Sequence, residues 1–263
     1  MDRPAVKDCT DTSLNDNHPK ERSSAMEKTV LLDVTEGIAL ITLNRPERHN
    51  SICQDLLVHL YNYLDKVAQS PEIKVAVITG NGKSFCSGID LSVIGHDNLL
   101  DPRGDGNDMP DVFEACSKPI IGAINGNAIT GGFELALNCD FLIASENARF
   151  IDSHAKVGIH PGWGMTQLLQ HAVGQKKAKQ MSFTCRPLSA GDALACGLVN
   201  EVVPHAELVP HALEIAQDIC SVNQDIMMQI KGLIEKQNEV PLKEALQYER
   251  TGFEEFVRKA KLF

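Results

Sequence analysis

Two glycine-bearing turns, and two titratable side chains downstream of their apolar lead-in strands, carry the chemistry that this sequence makes legible. The first turn, Gly80-Asn81-Gly82-Lys83-Ser84-Phe85-Cys86-Ser87-Gly88-Ile89-Asp90, follows an apolar run that ends at Thr79. The second, Asn125-Gly126-Asn127-Ala128-Ile129-Thr130-Gly131-Gly132-Phe133-Glu134, follows one that ends at Ile124. Glycine lets a backbone approach a ligand closely, and a helix starting near Gly132 offers unpaired N–H groups at its positive end. Ligands of an open parallel sheet bind beyond the carboxyl ends of its strands, so two such turns would face one crevice and could trap an oxyanion there.

Glu134 falls in the opening turn of the second helix, where the dipole favours its anion and burial opposes it. His154 lies in Phe150-Ile151-Asp152-Ser153-His154-Ala155-Lys156-Val157-Gly158. An imidazole gives or takes a proton near neutral pH, or serves as a polar pocket residue, and both readings stay open. Asp152, two residues earlier, is a third titratable candidate. His160 and Trp163 flank Pro161-Gly162 and are candidates for lining a pocket, although a tryptophan also reads as core.

Elements that would hold these residues can be read from periodicity. Val30 to Val34 and Ile38 to Leu43 are β-rich runs separated by Glu36-Gly37, a hairpin signal. Leu56, Leu57, Leu60, Leu64 and Val67 recur at helical spacing, with Asn50 or Ser51 available as a cap. The continuous run Val75-Ala76-Val77-Ile78 predicts a strand buried on both faces, hence a parallel sheet. Asp90 to Pro110 is rich in Gly, Asp and Asn and reads as a mobile surface loop. A helix near Val112 to Cys116, a strand to Ile124, a helix from about Gly132 to Leu137 and a strand from Phe141 to Ala144 continue an α/β alternation with right-handed crossovers. After Val203 the pattern is helical: Leu208 to Val222, Asp225 to Lys236 and Leu242 to Lys259. The chain thus divides into a disordered tail at 1–26, an α/β core at 27–203 and a helical C-terminal region at 204–263, without an internal sequence repeat.

Composition narrows the function classes. A net charge of −10 over 263 residues argues against nucleic acid as a partner, because phosphate binding needs dense Lys and Arg. Apolar runs are too interrupted to span a membrane. None of the eight cysteines makes a C-x-x-C pair and none of the nine histidines an H-x-x-x-H pair, so no metal cofactor is expected. Gly82-Lys83-Ser84 mimics the end of a phosphate-binding loop, but Val77 stands where that motif needs its first glycine. A nicotinamide or flavin fingerprint, G-x-G-x-x-G between strand and helix, is missing. The acid-bearing N-terminus fits a transit peptide poorly, and Lys261-Leu262-Phe263 is not a S-K-L address. A cytoplasmic or peroxisomal location is expected.

The two turns, their spacing and Pro161-Gly162-Trp163-Gly164 together resemble the crotonase, or enoyl-CoA hydratase/isomerase, superfamily. The resemblance runs from about Leu31 to Lys259 and includes Leu43-Asn44-Arg45-Pro46 with Asn50, the strand Lys118 to Gly126, and Gly197-Leu198-Val199-Asn200 leading to Val203. It implies a spiral of ββα units with a helical C-terminal region, assembled as a homotrimer or hexamer. It implies an acyl-CoA substrate, with coenzyme A arriving as part of that substrate and no tightly bound cofactor. The family's oxyanion hole falls on the backbone N–H groups of Ile89 and Gly131, with Ser87, Gly88, Asp90, Gly132, His160 and Trp163 around the substrate. The implied activity is a 2-enoyl-CoA hydratase giving 3-hydroxyacyl-CoA; the alternatives are an isomerase or lyase of the same type, or a non-catalytic acyl-CoA-binding or protein-interaction homologue.

The match departs from the family at two places. Hydratases of this kind use two glutamates; Glu134 matches the first, whereas His154 occupies the second position. Members also usually continue through a further helical stretch beyond Phe253, Phe256, Arg258 and Lys259, which implies weaker CoA or oligomer contacts here.

Overall fold

The computed structural model describes residues 28–260, so the tail expected at 1–26 lies outside the described residues. β1 (Val30–Thr35) and β2 (Ile38–Leu43) form the expected hairpin. Its two turn residues, Glu36 and Gly37, both have positive φ, 51° and 85°, the handedness that matches the twist of the flanking strands. β3 (Val75–Gly80), β5 (Ile120–Ile124), β7 (Phe141–Ser145) and β10 (Glu201–Val203) extend this hairpin into a six-stranded sheet of order β1-β2-β3-β5-β7-β10, parallel from β2 onward.

A second sheet, of order β4-β6-β8-β9, uses short strands: β4 (Ser84–Cys86), β6 (Asn127–Ile129), β8 (Arg149–Ile151) and β9 (Leu188–Ser189). Successive strands alternate between the sheets. β3 then β4, β5 then β6, and β7 then β8 each place one strand in the large sheet and the next in the small one, and helices follow. These helices are α2 (Met109–Glu114), α3 (Gly131–Leu137), and the pair α4 (His154–Val157) and α5 (Met165–Thr184). This is the ββα repetition that the family resemblance implies. It is a repeat of topology, which is why no repeat of residues announces it.

The apolar runs divide between two faces. Ala76 and Ile78 of β3 join the main core with Leu56, Leu57, Leu60, Leu64 and Val67 of α1 (Gln54–Gln69). Val75 and Val77 pack with Ile121, Ala123 and Ile143 beneath Leu208, Ala212 and Ala216 of α7 (Leu208–Ser221). A strand covered on both faces is apolar at successive positions, as β3 is from Val75 to Ile78. α6 (Ala190–Ala195) is capped by Ser189, while α8 (Gln224–Glu239) and α9 (Leu242–Ala260) pack on one another.

One local expectation, the cap of α1, is corrected. α1 is not capped by Asn50 or Ser51: it begins at Gln54, whose N–H is accepted by Asp97 Oδ2 at 2.8 Å, 43 residues away in sequence. Asn50 instead sits buried at φ 55°, accepting from Arg45 N and donating to Asn81 O and Ser84 O. The segment after Asp90 is tied to α1: Gln54 also accepts from Asn98 N and donates to Pro102 O, and Arg103 pairs with Asp65 and Asp105. Met165–Thr184, for which no apolar stripe announces a helix, is helical and is interrupted at Gly174 (φ 76°, ψ 154°).

Backbone contact at the two turns tolerates no side chain. A Cβ on Gly126 would lie 2.1 Å from Lys83 O, and one on Gly132 would lie 2.1 Å from Cys86 O. Relief requires the main chain to move, since a carbonyl has no rotamer to change. Gly126→Ala is therefore expected to lower the unfolding free energy by about 3 kcal/mol, read as a lower denaturant midpoint. A midpoint equal to that of the parent would refute this tight contact.

Candidate active site

Two buried asparagines fasten the glycine turns to each other and to the chain before α1. Asn125 Oδ1 accepts from Gly80 N at 3.1 Å, and its Nδ2 donates to Gly82 O and Ser84 O at 3.0 and 3.3 Å. Asn50 holds Ser84 O from the other side at 2.8 Å. Beyond this point Ile52 bridges the first turn: Ile52 N donates to Gly88 O at 2.8 Å and Asp90 N donates to Ile52 O at 2.9 Å. Because alternate residues of an extended chain present their N–H to opposite sides, Ile89 N–H is turned away from Ile52.

The second donor comes from the start of α3. Phe133 N and Glu134 N both donate to Thr130 O at 2.9 Å, leaving Gly131 N–H as one of the helix's orphan groups. Neither Ile89 N–H nor Gly131 N–H finds an acceptor among the described residues. A Cβ on Gly88 would lie 3.4 Å from Gly131 N, so the two turns are neighbours. Thr130 holds φ 52°, ψ −112°, a strained conformation for a β-branched residue. Its N–H donates to Ile151 O at 2.8 Å and its hydroxyl bonds that of Ser153, tying α3 to the segment that carries His154.

Glu134, Asp152 and His154 form one buried cluster. Glu134 Oε1 accepts from Trp163 N at 2.9 Å and Met165 N at 3.2 Å, which leaves Oε2 facing His154 Nε2 at 3.5 Å. On the other side of the ring His154 Nδ1 lies 2.8 Å from Asp152 Oδ1, which also accepts from His154 N at 3.1 Å. Burial opposes charge on the ring, yet the hydrogen bonds to Asp152 and Glu134 outweigh it and push the imidazole up to about 9. Burial likewise opposes the Asp152 anion, but its bond from His154 is among those that hold the carboxyl below its ordinary value. The bonds to Asp152 and Glu134 thus favour the imidazolium form of the ring.

These groups open onto a cavity of about 560 Å³. Ser87, Gly88, Ile89, Gly131, Glu134, His154, His160 and Trp163 all line it. Trp163 is also core, 4% exposed, with its ring against Gly131. Asp90 and Gly132 do not line it. Hydrogen bonds from Ser92, with Arg45 3.1 Å away, occupy the Asp90 carboxylate and hold it down at about 2, while Gly132 is packed on the Cys86 carbonyl. The remaining wall is largely apolar: Leu91, Ile94, Leu99, Leu100, Val157 and Ile159. The first four sit in the segment whose Gly, Asp and Asn content hides them; apart from one 3-10 turn at Leu91–Val93, their spacing follows a chain tied to α1 and has no helical or strand period. Thr130 gives no sequence signal, because its φ is set by the contacts around it. Among the described residues no group of three His, Cys, Asp or Glu side chains is placed to hold a metal, and no helix is long and apolar enough to cross a membrane.

A cavity with two unpaired N–H groups beside a carboxylate and a proton-bearing imidazole can stabilise a developing oxyanion while moving protons next to it. Comparison with known proteins agrees with this geometry. The enoyl-CoA hydratase/isomerase family matches residues 33–262. A probable peroxisomal enoyl-CoA hydratase 1 of Arabidopsis thaliana is 42% identical over 218 residues, covering 81% of each chain. The crystal structure of an enoyl-CoA hydratase from Bacillus anthracis superposes with a TM-score of 0.79 at 35% identity, over 86% of this chain and 90% of that one. A monofunctional enoyl-CoA isomerase from M. smegmatis does so with a TM-score of 0.71 at 32% identity, over 84% and 99%. Fold, cavity and sequence therefore converge, and this chain belongs to the enoyl-CoA hydratase/isomerase family.

Proposed function

We propose that this protein is a hydro-lyase that adds water across the double bond of a 2-enoyl-CoA thioester to give the 3-hydroxyacyl-CoA. The observation that carries the reading is the opposed pair Glu134 and His154, 3.5 Å apart in the wall of the cavity that Ile89 and Gly131 share. The thioester carbonyl accepts from the N–H groups of Ile89 and Gly131, and the apolar wall takes the acyl chain. Glu134 removes a proton from water as its oxygen attacks C3. The negative charge that moves to the thioester oxygen is met by donors already aimed at it, worth roughly 3 to 4 kcal/mol each in a water-poor site. His154 gives its Nε2 proton to C2, and the proton on Glu134 then crosses to His154 and restores both groups.

An isomerase needs the same oxygen-binding groups but moves a proton between C2 and C4 without water. The M. smegmatis neighbour named as an isomerase keeps that reading in view, but a pair of oppositely charged proton carriers suits the two proton transfers of hydration better. The peroxisomal designation of the Arabidopsis relative supports the peroxisome for this chain. Ile230 and Ile234 of α8, with Leu246 and Phe253 of α9, are half or more exposed in the single chain, which supports assembly into a homotrimer or hexamer.

With crotonyl-CoA the conjugated thioester absorbance is expected to fall on addition of enzyme. Glu134→Gln keeps the size and hydrogen-bonding shape of the side chain but not its basicity. It is expected to lower kcat by about 10² to 10⁴ while CoA-ester affinity stays within about threefold. Full activity in that variant would remove Glu134 from the mechanism; conversion of a 3-enoyl-CoA without hydration would make the enzyme an isomerase.

The pH dependence follows from His154. An acid works while protonated, so kcat is expected to hold below and fall through about 9. Stability shares that sign: a histidine whose folded value is raised stabilises fully below its unfolded value, about 6.5, and loses that contribution as pH rises through the folded one. Unfolding midpoints that climb between pH 7 and 9 would contradict an imidazolium at this position.

A further inference from the structure

His154 stands between two carboxylates, of which only Glu134 lines the cavity; Asp152 lies behind the ring. The carboxylate of Asp152 is 3% exposed, and one oxygen, Oδ1, serves both His154 N and His154 Nδ1. A single acceptor that binds the backbone and the ring of the same residue fixes the ring's rotation as well as the identity of the nitrogen bonded to it. With Nδ1–H committed to Asp152, Nε2 is the nitrogen left to face Glu134 and the cavity.

We propose that Asp152 is a positioning residue for the proton donor, and that Asp152, His154 and Glu134 act as one line along which the proton used at C2 is supplied and replaced. The proposal rests on the hydratase reading above. In each turnover Glu134 gains the proton of water and His154 loses its Nε2 proton to C2; transfer from Glu134 to Nε2 returns the starting state, with no net change in protons held. Asp152 keeps its negative charge throughout and stays bonded to Nδ1–H, so that the ring is a better acceptor from Glu134 and a cation again before the next substrate. The titratable groups that face the ring are Asp152 on its own segment and Glu134 from α3. Nearby, the hydroxyls of Thr130 and Ser153 bond each other, and Ser182 of α5 bonds Asp152.

Asp152→Asn tests this, since asparagine retains an acceptor for His154 N and removes the charge. Imidazole resonances of ¹⁵N-histidine-labelled full-length protein, with His154 assigned by its loss in His154→Gln, are followed against pH. The parent ring is expected to stay protonated through pH 8, and its midpoint to fall by about two units in Asp152→Asn. The alkaline limb of kcat should move down with it, by about tenfold or more in rate at pH 8, while the Kd for crotonyl-CoA changes by less than about threefold. A parent ring that titrates near 6.5, or a midpoint that Asp152→Asn leaves in place, would overturn the proposal even if activity falls. The titration needs no turnover, so a parent enzyme that fails to hydrate would defeat the hydratase reading while the role of Asp152 is still decided.

Discussion

The direct contact of two stretches of main chain is the constraint on which this molecule depends. Gly132 lies against the Cys86 carbonyl and Gly126 against that of Lys83, at distances that exclude any Cβ. Only that closeness brings the N–H of Ile89, from one turn, beside the N–H of Gly131, from the other. The alternating use of two sheets serves the same end: β3, β5 and β7 each deliver the chain to the carboxyl end of the large sheet, and a three-residue strand then carries it across to meet its neighbour. Asn50 and Asn125 hold the meeting point by satisfying the backbone groups that the turns would otherwise leave buried and unpaired.

Such rigidity matters because the site buries charge. An isolated carboxylate at the exposure of Glu134, 2%, would cost several kcal/mol, and it is retained because two main-chain N–H groups and the His154 ring surround it. Those N–H groups come from Trp163 and Met165, so the Pro161-Gly162 turn that follows His160 is part of the electrostatics as much as of the cavity wall. In the mechanism proposed above, histidine in place of a second carboxyl alters the charge pattern and keeps a proton carrier at that position. Two adjacent carboxyls would compete for one proton, whereas a carboxylate and an imidazolium sustain each other's charged forms.

Legibility from sequence followed the range of the forces involved. The β1–β2 hairpin, α1, β3 and α3 are governed by local periodicity and turn chemistry, and they stand where that pattern puts them. The short strands β4, β6 and β8 exist only by pairing with each other, so Asn127-Ala128-Ile129 reads as part of a turn until its partners are in place. The cap of α1 is a similar case: Asn50 lies closer in sequence, but Asp97 arrives in space. Asp90 and Gly132 carry the motif without touching the cavity, one held by Arg45 and Ser92 and the other buried in the contact between turns.

The sequence by itself determined the family, the order of α/β elements, the two turns that face one crevice, and the presence of Glu134 and His154 near it. Element order and the two turns are carried by residue type, spacing and local propensity; the family, and with it the places of Glu134 and His154, by the resemblance of the ordered motifs. Tertiary structure alone decided which N–H groups remain unpaired, that Leu91 and Ile94 wall the cavity, and that the His154 ring is pushed toward its charged form. Each of these depends on what a group meets across the fold: a hydrogen-bond partner found or missing, and in the last case two carboxylates whose combined pull exceeds the penalty of burial. A histidine's sequence position names its chemistry, but only its neighbours set its proton.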